Sequence, residues 1–316
     1  MMKYRSELTK TQYPYDISVA VLTYHSDLGK TLETLRTIIA QKGVRIQIIV
    51  SDDGSDENHF PEIRSFLERE GVNDPILLAG ERNQGTVSNT VRAVSAAQAE
   101  YTKLISPGDG LLGEECFVHW LQAVRTEQAV WSFSEAVYYR LENGRKRAVL
   151  ATAHPILTAP YRFGWKDRAR WNYAVLGDVA NAVSILCKTD VLLRYLKLLE
   201  GKVIYAEDYS YKLMMFDGVI GMYYPTPTIL YEVGTGISTS KDNVWADRLD
   251  RDLRAAQSLM ISRRDPKDKL QRKMADALLR ISDRKGWRGP FCRGEIRFIL
   301  IKKFFPRRTK CVDLAG

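Results

Sequence analysis

Lys103-Leu104-Ile105-Ser106-Pro107-Gly108-Asp109-Gly110 reads as a short apolar strand that runs into a tight turn and presents one carboxylate at its end. Open α/β sheets hold their ligands at that carboxyl edge. Pro107 fixes its own φ and Gly108 can take a positive one, which suits Pro-Gly to the centre of a type II turn with Asp109 just past the bend. Such turns are common, so the weight of the reading comes from the stretches on either side.

Upstream, Ile17-Ser18-Val19-Ala20-Val21-Leu22-Thr23 is an apolar, β-branched run followed by the polar loop Tyr24-His25-Ser26-Asp27, which offers a helix cap. Residues 30–41 carry Leu32, Leu35, Ile38 and Ile39 at helical spacing and stop at Gly43. Ile46-Gln47-Ile48-Ile49-Val50 predicts a second buried strand that leaves through Ser51-Asp52-Asp53-Gly54-Ser55, a carboxylate-rich turn. A helix over 61–70 with Pro61 in its first turn, a strand over 76–79 and a helix over 86–99 capped by Thr86 complete the approach to the strand 101–105. Strands alternating with helices in this order predict a doubly wound, mostly parallel sheet with right-handed crossovers, which gathers the polar loops at one edge.

Downstream the alternation is lost. A helix over 113–127 and a strand over 129–140 lead to a hairpin turn at Glu142-Asn143-Gly144. Residues 155–173, rich in aromatic and basic side chains (Tyr161, Arg162, Phe163, Trp165, Arg168, Trp171), read as a substrate-facing loop. Asp190 is placed as the cap of a helix running to Leu199. Residues 201–209 read as a short strand entering a helix whose first turn carries Glu207 and Asp208, and residues 223–236 as strand and loop. Residues 247–284 are helical, mixed in charge and broken at Asp265-Pro266. From 284 to 310 basic residues interleave with aromatic and aliphatic ones, the pattern of a helix lying in an anionic membrane interface or of a docked helix with a solvated face.

The chain has 316 residues, 45% of them hydrophobic, enough for a large α/β unit with a substantial core. The polar amino-terminal stretch lacks an apolar signal, and no run approaches the ~18 apolar residues of a spanning helix, so a cytoplasmic protein is expected. Four widely separated cysteines suggest neither a zinc site nor a disulfide framework. The net charge of +9 comes without a nucleic-acid-binding motif, so nucleic acid is not an expected partner. Three carboxylate loops remain: Asp52-Asp53, Asp109 and Glu207-Asp208. A nucleoside diphosphate could meet the first through its base and the second through bridging Mg²⁺ or Mn²⁺, which favours one or two carboxylates plus phosphate oxygens. The third could act as general base on an incoming hydroxyl.

In the order Ile17 to Tyr24, Ser51-Asp52-Asp53-Gly54-Ser55, Gly85-Thr86-Val87-Ser88-Asn89, Ser106-Pro107-Gly108-Asp109, Glu207-Asp208 and Tyr231-Glu232-x-Gly-Thr-Gly-Ile-Ser-Thr239, the chain resembles the family 2 inverting glycosyltransferases with the GT-A (Rossmann-like) fold. Within them it is similar to a bacterial subgroup with Ser-Pro-Gly-Asp in place of an Asp-x-Asp motif. The resemblance covers residues 17–240. It implies a glycosyltransferase domain over 1–240, with a nucleotide-binding half at 17–110 and an acceptor and catalytic half at 111–240, followed by a helical, basic extension over 241–316. It further implies that Leu22, Thr23, Tyr24, Asp52, Asp53 and Gly85 bind the nucleotide, usually a uridine diphosphate. Asp109 would be the diphosphate and metal ligand, Asp208 the base that activates the acceptor hydroxyl, and Glu207 the neighbour that orients the site. The acceptor would be a growing or polyprenyl-linked glycan of bacterial surface polysaccharide synthesis, met at the inner face of the cell membrane.

Three departures bear on the metal. Pro107 and Gly108 occupy the space where family members commonly carry another Asp, Ser88 replaces a phosphate-contacting Arg, and Gly234 stands where a His is often found. A noncatalytic sugar-nucleotide-binding partner and a nucleotidyltransferase are the alternative readings. The latter is disfavoured because Leu22-Thr23-Tyr24-His25 is not a glycine-rich basic phosphate loop, and no Gly-x-Gly-x-x-Gly follows the first strand to suggest a dehydrogenase.

Overall fold

The computed structural model describes residues 12–234, 243–283 and 291–309. The first half alternates as expected: β1 (Ile17–Thr23), α1 (Leu28–Ile39), β2 (Ile46–Asp52), α2 (Phe60–Arg69), β3 (Ile76–Ala79), α3 (Thr86–Ser95) and β4 (Tyr101–Ile105). There follow β5 (Gly110–Leu111), α4 (Cys116–Thr126), β6 (Trp131–Glu142), β7 (Arg145–Ala148), α5 (Ala159–Arg162), α6 (Lys166–Ala174), β8 (Ile185–Lys188), α7 (Thr189–Leu199), α8 (Tyr209–Phe216) and β9 (Met222–Glu232). The chain continues through α9 (Asn243–Ser262), α10 (Lys269–Asp283) and α11 (Glu295–Phe304).

Among the described residues the strands form one nine-stranded sheet in the order β3-β2-β1-β4-β8-β6-β9-β5, with β7 paired to β6. Strands β1 to β4 are parallel, with Ser18 opposite both Gln47 and Thr102. Because β8 is antiparallel to both β4 and β6, and β5 to β9, the sheet is mixed, with β1–β4, β6 and β9 sharing one direction. Alternating residues of β1 feed two cores: Ala20 joins Val91, Tyr173, Leu192 and Met215 on one face, while Val19 and Val21 join Leu35, Phe66 and Trp120 on the other. Burial on both faces is why β1 and β2 read as continuous apolar runs.

The carboxyl-terminal helices belong to this body. Ala256, Met260, Met274 and Leu278 from α9 and α10 lie in the same buried cluster as Leu196 and Met214, so the core runs across residue 240 without a break. Beyond α11, Ala153 N–H donates to Arg307 O at 2.8 Å and Thr309 N–H to Ala151 O at 2.9 Å. The Arg307 guanidinium pairs with the mostly buried Glu135 carboxylate at 2.7 Å.

Several local expectations are corrected. Residues 155–173 form α5 and α6 rather than a loop. Tyr173 is 1% exposed against Trp131, and Arg170 donates to Met215 O and Phe216 O, closing the last turn of α8. Phe163 and Trp165 project, at 68% and 55% exposure, and Arg162, Lys166, Asp167 and Arg168 are exposed with them. Residues 201–208 form no strand, because the amides of Ile204, Tyr205 and Ala206 donate to the Asp252 carboxylate of α9 instead of to a neighbouring strand. Glu207 and Asp208 therefore precede α8, with Asp208 at its N-cap. Thr86 and Asp190 lie inside their helices and do not cap them; Gly85 and Lys188 hold the cap positions. Residues 235–239 of the last motif, and the basic residues Arg284, Lys285, Arg288 and Lys310, lie outside the described residues.

Candidate active site

The parallel register brings the ends of β1 and β2 side by side, with Thr23 opposite Asp52 and Asp53 N–H donating to Thr23 O at 3.0 Å. Asp52 turns inward. Its carboxylate accepts from Thr23 Oγ1 (2.9 Å), Ser55 N–H (2.7 Å) and Ser55 Oγ (2.8 Å), which folds the Asp-Asp-Gly-Ser turn back on β1. Asn89 on α3 ties the same edge together, donating to Ser51 O at 2.9 Å and accepting from Ser51 Oγ at 2.6 Å. Leu22 is half-buried, whereas the Tyr24 ring is 45% exposed beside His25, a flat apolar surface at the mouth of β1.

Asp53 takes the other role. Its carboxylate accepts from Gln84 N–H (3.2 Å) and Gly85 N–H (2.8 Å) and so holds the loop before α3. Burial raises its pKa, an effect opposed by those two N–H groups and by the Arg92 charge. Gly85 sits at φ +91°, and a Cβ there would overlap the Ile204 carbonyl. Two residues on, Val87 N–H donates to Ile204 O at 3.0 Å. The Asp53 loop is thus packed directly on the segment that leads into Glu207 and Asp208.

Both of those carboxyls are half-buried, and neither forms an ion pair among the described residues. Burial pushes the Glu207 carboxyl up, with the Asp208 charge adding to it. Asp208 is likewise raised by burial, with Lys212, one turn along α8, opposing. Such a pair shares its titration, one group favouring the proton while the other ionises.

Asp109 follows the expected type II turn: Gly108 has φ +96° and Asp109 N–H donates to Ser106 O at 3.1 Å. The side chain then goes inward. It is 8% exposed, and Oδ1 accepts from Glu232 N–H at 3.0 Å, fastening the end of β9 to the turn. Glu232 is ion-paired with Lys30 of α1 at 2.8 Å. Burial raises the Asp109 pKa to about 7, against the pull of Glu232 N–H and of Lys103, whose own wholly buried ammonium is lowered by burial to about 7. Asp109 shares no hydrogen bond or ion pair with Asp53, Glu207 or Asp208.

This donor set does not fit a preformed divalent-cation site. A cation such as Mg²⁺ takes about six oxygens, one or two of them from carboxylates and the rest from substrate phosphates and water, so a site complete before the donor binds would need free carboxylates. Here one buried carboxylate is committed to a backbone N–H, Glu232 is committed to Lys30, and Pro107 and Gly108 supply no ligand. Among the described residues no group of three or more His, Cys, Asp or Glu side chains is arranged to hold a metal.

From sequence alone no role follows for Lys30, for Glu232 of the Tyr231-Glu232 motif, or for Asp252. Lys30 and Glu232 close the network around the turn across more than two hundred residues. Asp252, an unremarkable acid within a mixed-charge helix, holds the segment before Glu207.

A doubly wound sheet with acidic loops at the carboxyl ends of β1, β2 and β4 is the arrangement of the GT-A fold. A mannosyltransferase from Pyrobaculum calidifontis, in complex with GDP-Man and Mn²⁺, aligns with a TM-score of 0.57 at 15% identity over 86% of this chain and 71% of that one. S. aureus TarS 1–349 in complex with UDP-GlcNAc aligns with a TM-score of 0.55 at 13% identity over 84% of this chain and 72% of that one. At such identities the likeness establishes the fold. No curated protein matches the chain. Residues 18–106 match the family model for glycosyl transferase family 2.

Proposed function

We propose that this protein is a glycosyltransferase that moves a sugar, with inversion, from a uridine diphosphate donor to a hydroxyl of a growing or polyprenyl-linked glycan in bacterial surface polysaccharide synthesis. The observation that supports it best is the Val87 N–H to Ile204 O bond, which seats the Glu207-Asp208 loop on the loop held by Asp53. Leu22, Thr23 and Tyr24 would bound the base, Asp53 and Gly85 would shape the nucleotide pocket, and Asp52 would keep the turn closed. Asp208 would take the acceptor's proton as the acceptor oxygen bonds to the anomeric carbon and the bond to the diphosphate breaks, with Glu207 orienting it. Asp109 would set the diphosphate end of the pocket by fixing the turn against β9. Metal dependence, where present, would rest on the donor's phosphates.

A base must be ionised to act, so activity falls as pH drops through its pKa. Because burial raises both carboxyls, the acid limb of kcat/KM is expected above the usual carboxylate range of about 4. A limb at or below that range would remove the pair from the base role. Nucleotide specificity is tested by thermal stabilisation with UDP- and GDP-sugars, with and without Mn²⁺.

The proposed membrane contact is supported by α11. Ile296, Leu300 and Phe304, spaced four residues apart, are 54%, 49% and 59% exposed, while Phe298 is buried on the opposite side. Arg297, Lys302 and Lys303 are exposed beside the stripe. A neighbouring cleft of about 480 Å³ is lined by Arg168, Lys273, Arg280 and Arg293 together with Asp167 and Asp276, a net positive setting for anionic headgroups. No described helix is long and apolar enough to cross a membrane. The double variant Leu300→Ser, Phe304→Ser should co-sediment with phosphatidylglycerol vesicles several-fold less than the parent; equal recovery would dismiss the contact. Point variants are needed, since removing the tail would also strip Arg307 from Glu135.

A further inference from the structure

We infer that Asp252, on α9 of the carboxyl-terminal region and outside the matched family stretch, is a positioning residue that sets the Glu207-Asp208 loop. The inference rests on the proposed role of that loop in proton removal.

Asp252 is 3% exposed, and its carboxylate accepts from three successive backbone N–H groups: Ile204 at 3.0 Å, Tyr205 at 2.6 Å and Ala206 at 3.1 Å. Charge-assisted bonds of this kind are roughly twice as strong as neutral ones. Successive amides in an extended chain point to opposite sides, so three of them converging on one carboxylate hold a tight turn. The carbonyl of the same segment is also engaged, since Ile204 O accepts from Val87 N–H of α3. Ile204 is therefore gripped from α9 through its N–H and from the nucleotide-side helix through its C=O. A second lock comes from Tyr205, whose ring meets Trp245 of α9 edge-on at 5.1 Å, with Arg248 over both rings. Glu207 follows directly after Ala206, so the position of the carboxylate pair is inherited from this grip.

The grip also carries charge. Asp252 from α9 raises both carboxyls and the Asp208 charge raises Glu207, while Lys212 and the Tyr209 N–H of α8 favour ionised Asp208; Tyr173 from α6 and Tyr209 and Tyr211 from α8 feel the charge of Asp208 in turn. Asp252 and the carboxylate pair repel one another, which favours the proton on the pair. A carboxylate there both shapes the loop and raises its basicity.

The test uses the full chain with Asp252→Asn, which keeps the volume and removes the charge, alongside Asp252→Ala and Asp252→Glu. Hydrogen exchange at the amides of 204–206 should quicken at least tenfold in the Ala variant while the amides of β1 and β4 hold their rates. In Asp252→Asn, kcat should fall at least tenfold with donor affinity within threefold, and the acid limb of the kcat/KM profile should move to lower pH. Asp252→Glu should recover part of the loss. Unchanged exchange at 204–206, or an Asn variant whose pH profile superimposes on the parent's, would overturn the inference. Turnover that survives Asp208→Asn would defeat the proposed base while leaving the exchange result intact, so the two failures are distinguishable.

Discussion

Replacing Asp208 with Asn is expected to lower turnover by roughly 10²- to 10⁴-fold, the usual worth of a positioned general base, while donor affinity stays within about threefold of the parent. The substitution is nearly isosteric, the N–H groups that act on the Asp208 carboxylate are those of Asp208 and Tyr209 at the start of α8, and the shape of the loop is set by Asp252 and Val87. What the amide lacks is the capacity to accept a proton from the acceptor hydroxyl. Calorimetric titration with the donor, run beside a transfer assay, separates the two effects. Undiminished turnover would remove Asp208 from its proposed role, and a parallel collapse of donor binding would make it a binding group.

Gly85→Ala is expected to be the most damaging single substitution away from the carboxylates. Its φ of +91° already disfavours any side chain, and the new Cβ would overlap the Ile204 carbonyl, which Val87 holds in place. Strain of a left-handed residue together with a backbone overlap costs about 3 kcal/mol or more. At this chain length that corresponds to a fall in the thermal midpoint on the order of 5 °C. Relieving the overlap requires the nucleotide-side loop and the Glu207-Asp208 loop to move apart, so donor affinity and turnover should fall together. Gly177→Ala is the control: it has φ +70° but nothing within 4 Å of the added Cβ, and should cost only about 1 kcal/mol with activity retained. If both variants melt alike and Gly85→Ala retains activity, the close approach of the two loops is not what holds the site.

The path from sequence to site can be followed at particular residues. The Pro107-Gly108 pair gave the turn type because positive φ is a local property of glycine, and Asn143-Gly144 gave the β6–β7 hairpin for the same reason. Which way Asp109 points was not legible. A turn residue is solvated unless something distant covers it, and here β9 brings Glu232 N–H against it from 123 residues away. Residues 155–173 divide: 162–168 are exposed, as charge and aromaticity suggest, whereas Arg170 and Tyr173 turn their polar atoms and rings into the fold. The short strand expected at 201–209 failed because its apolar run was matched by a carboxylate and not by a strand partner.

By itself, the amino-acid order determined the alternation of strands and helices, the common edge onto which their polar loops open, and the placing of acids in those loops. Each follows from periodicity, chirality and turn chemistry within a few dozen residues. Only the folded chain decided that Asp52 and Asp109 turn inward while Asp208 stays half open, that α9 and α10 share the core, and that Asp252 grips the loop before Glu207. A carboxylate's fate depends on which donors surround it, and these donors arrive from distant segments that no local pattern brings together.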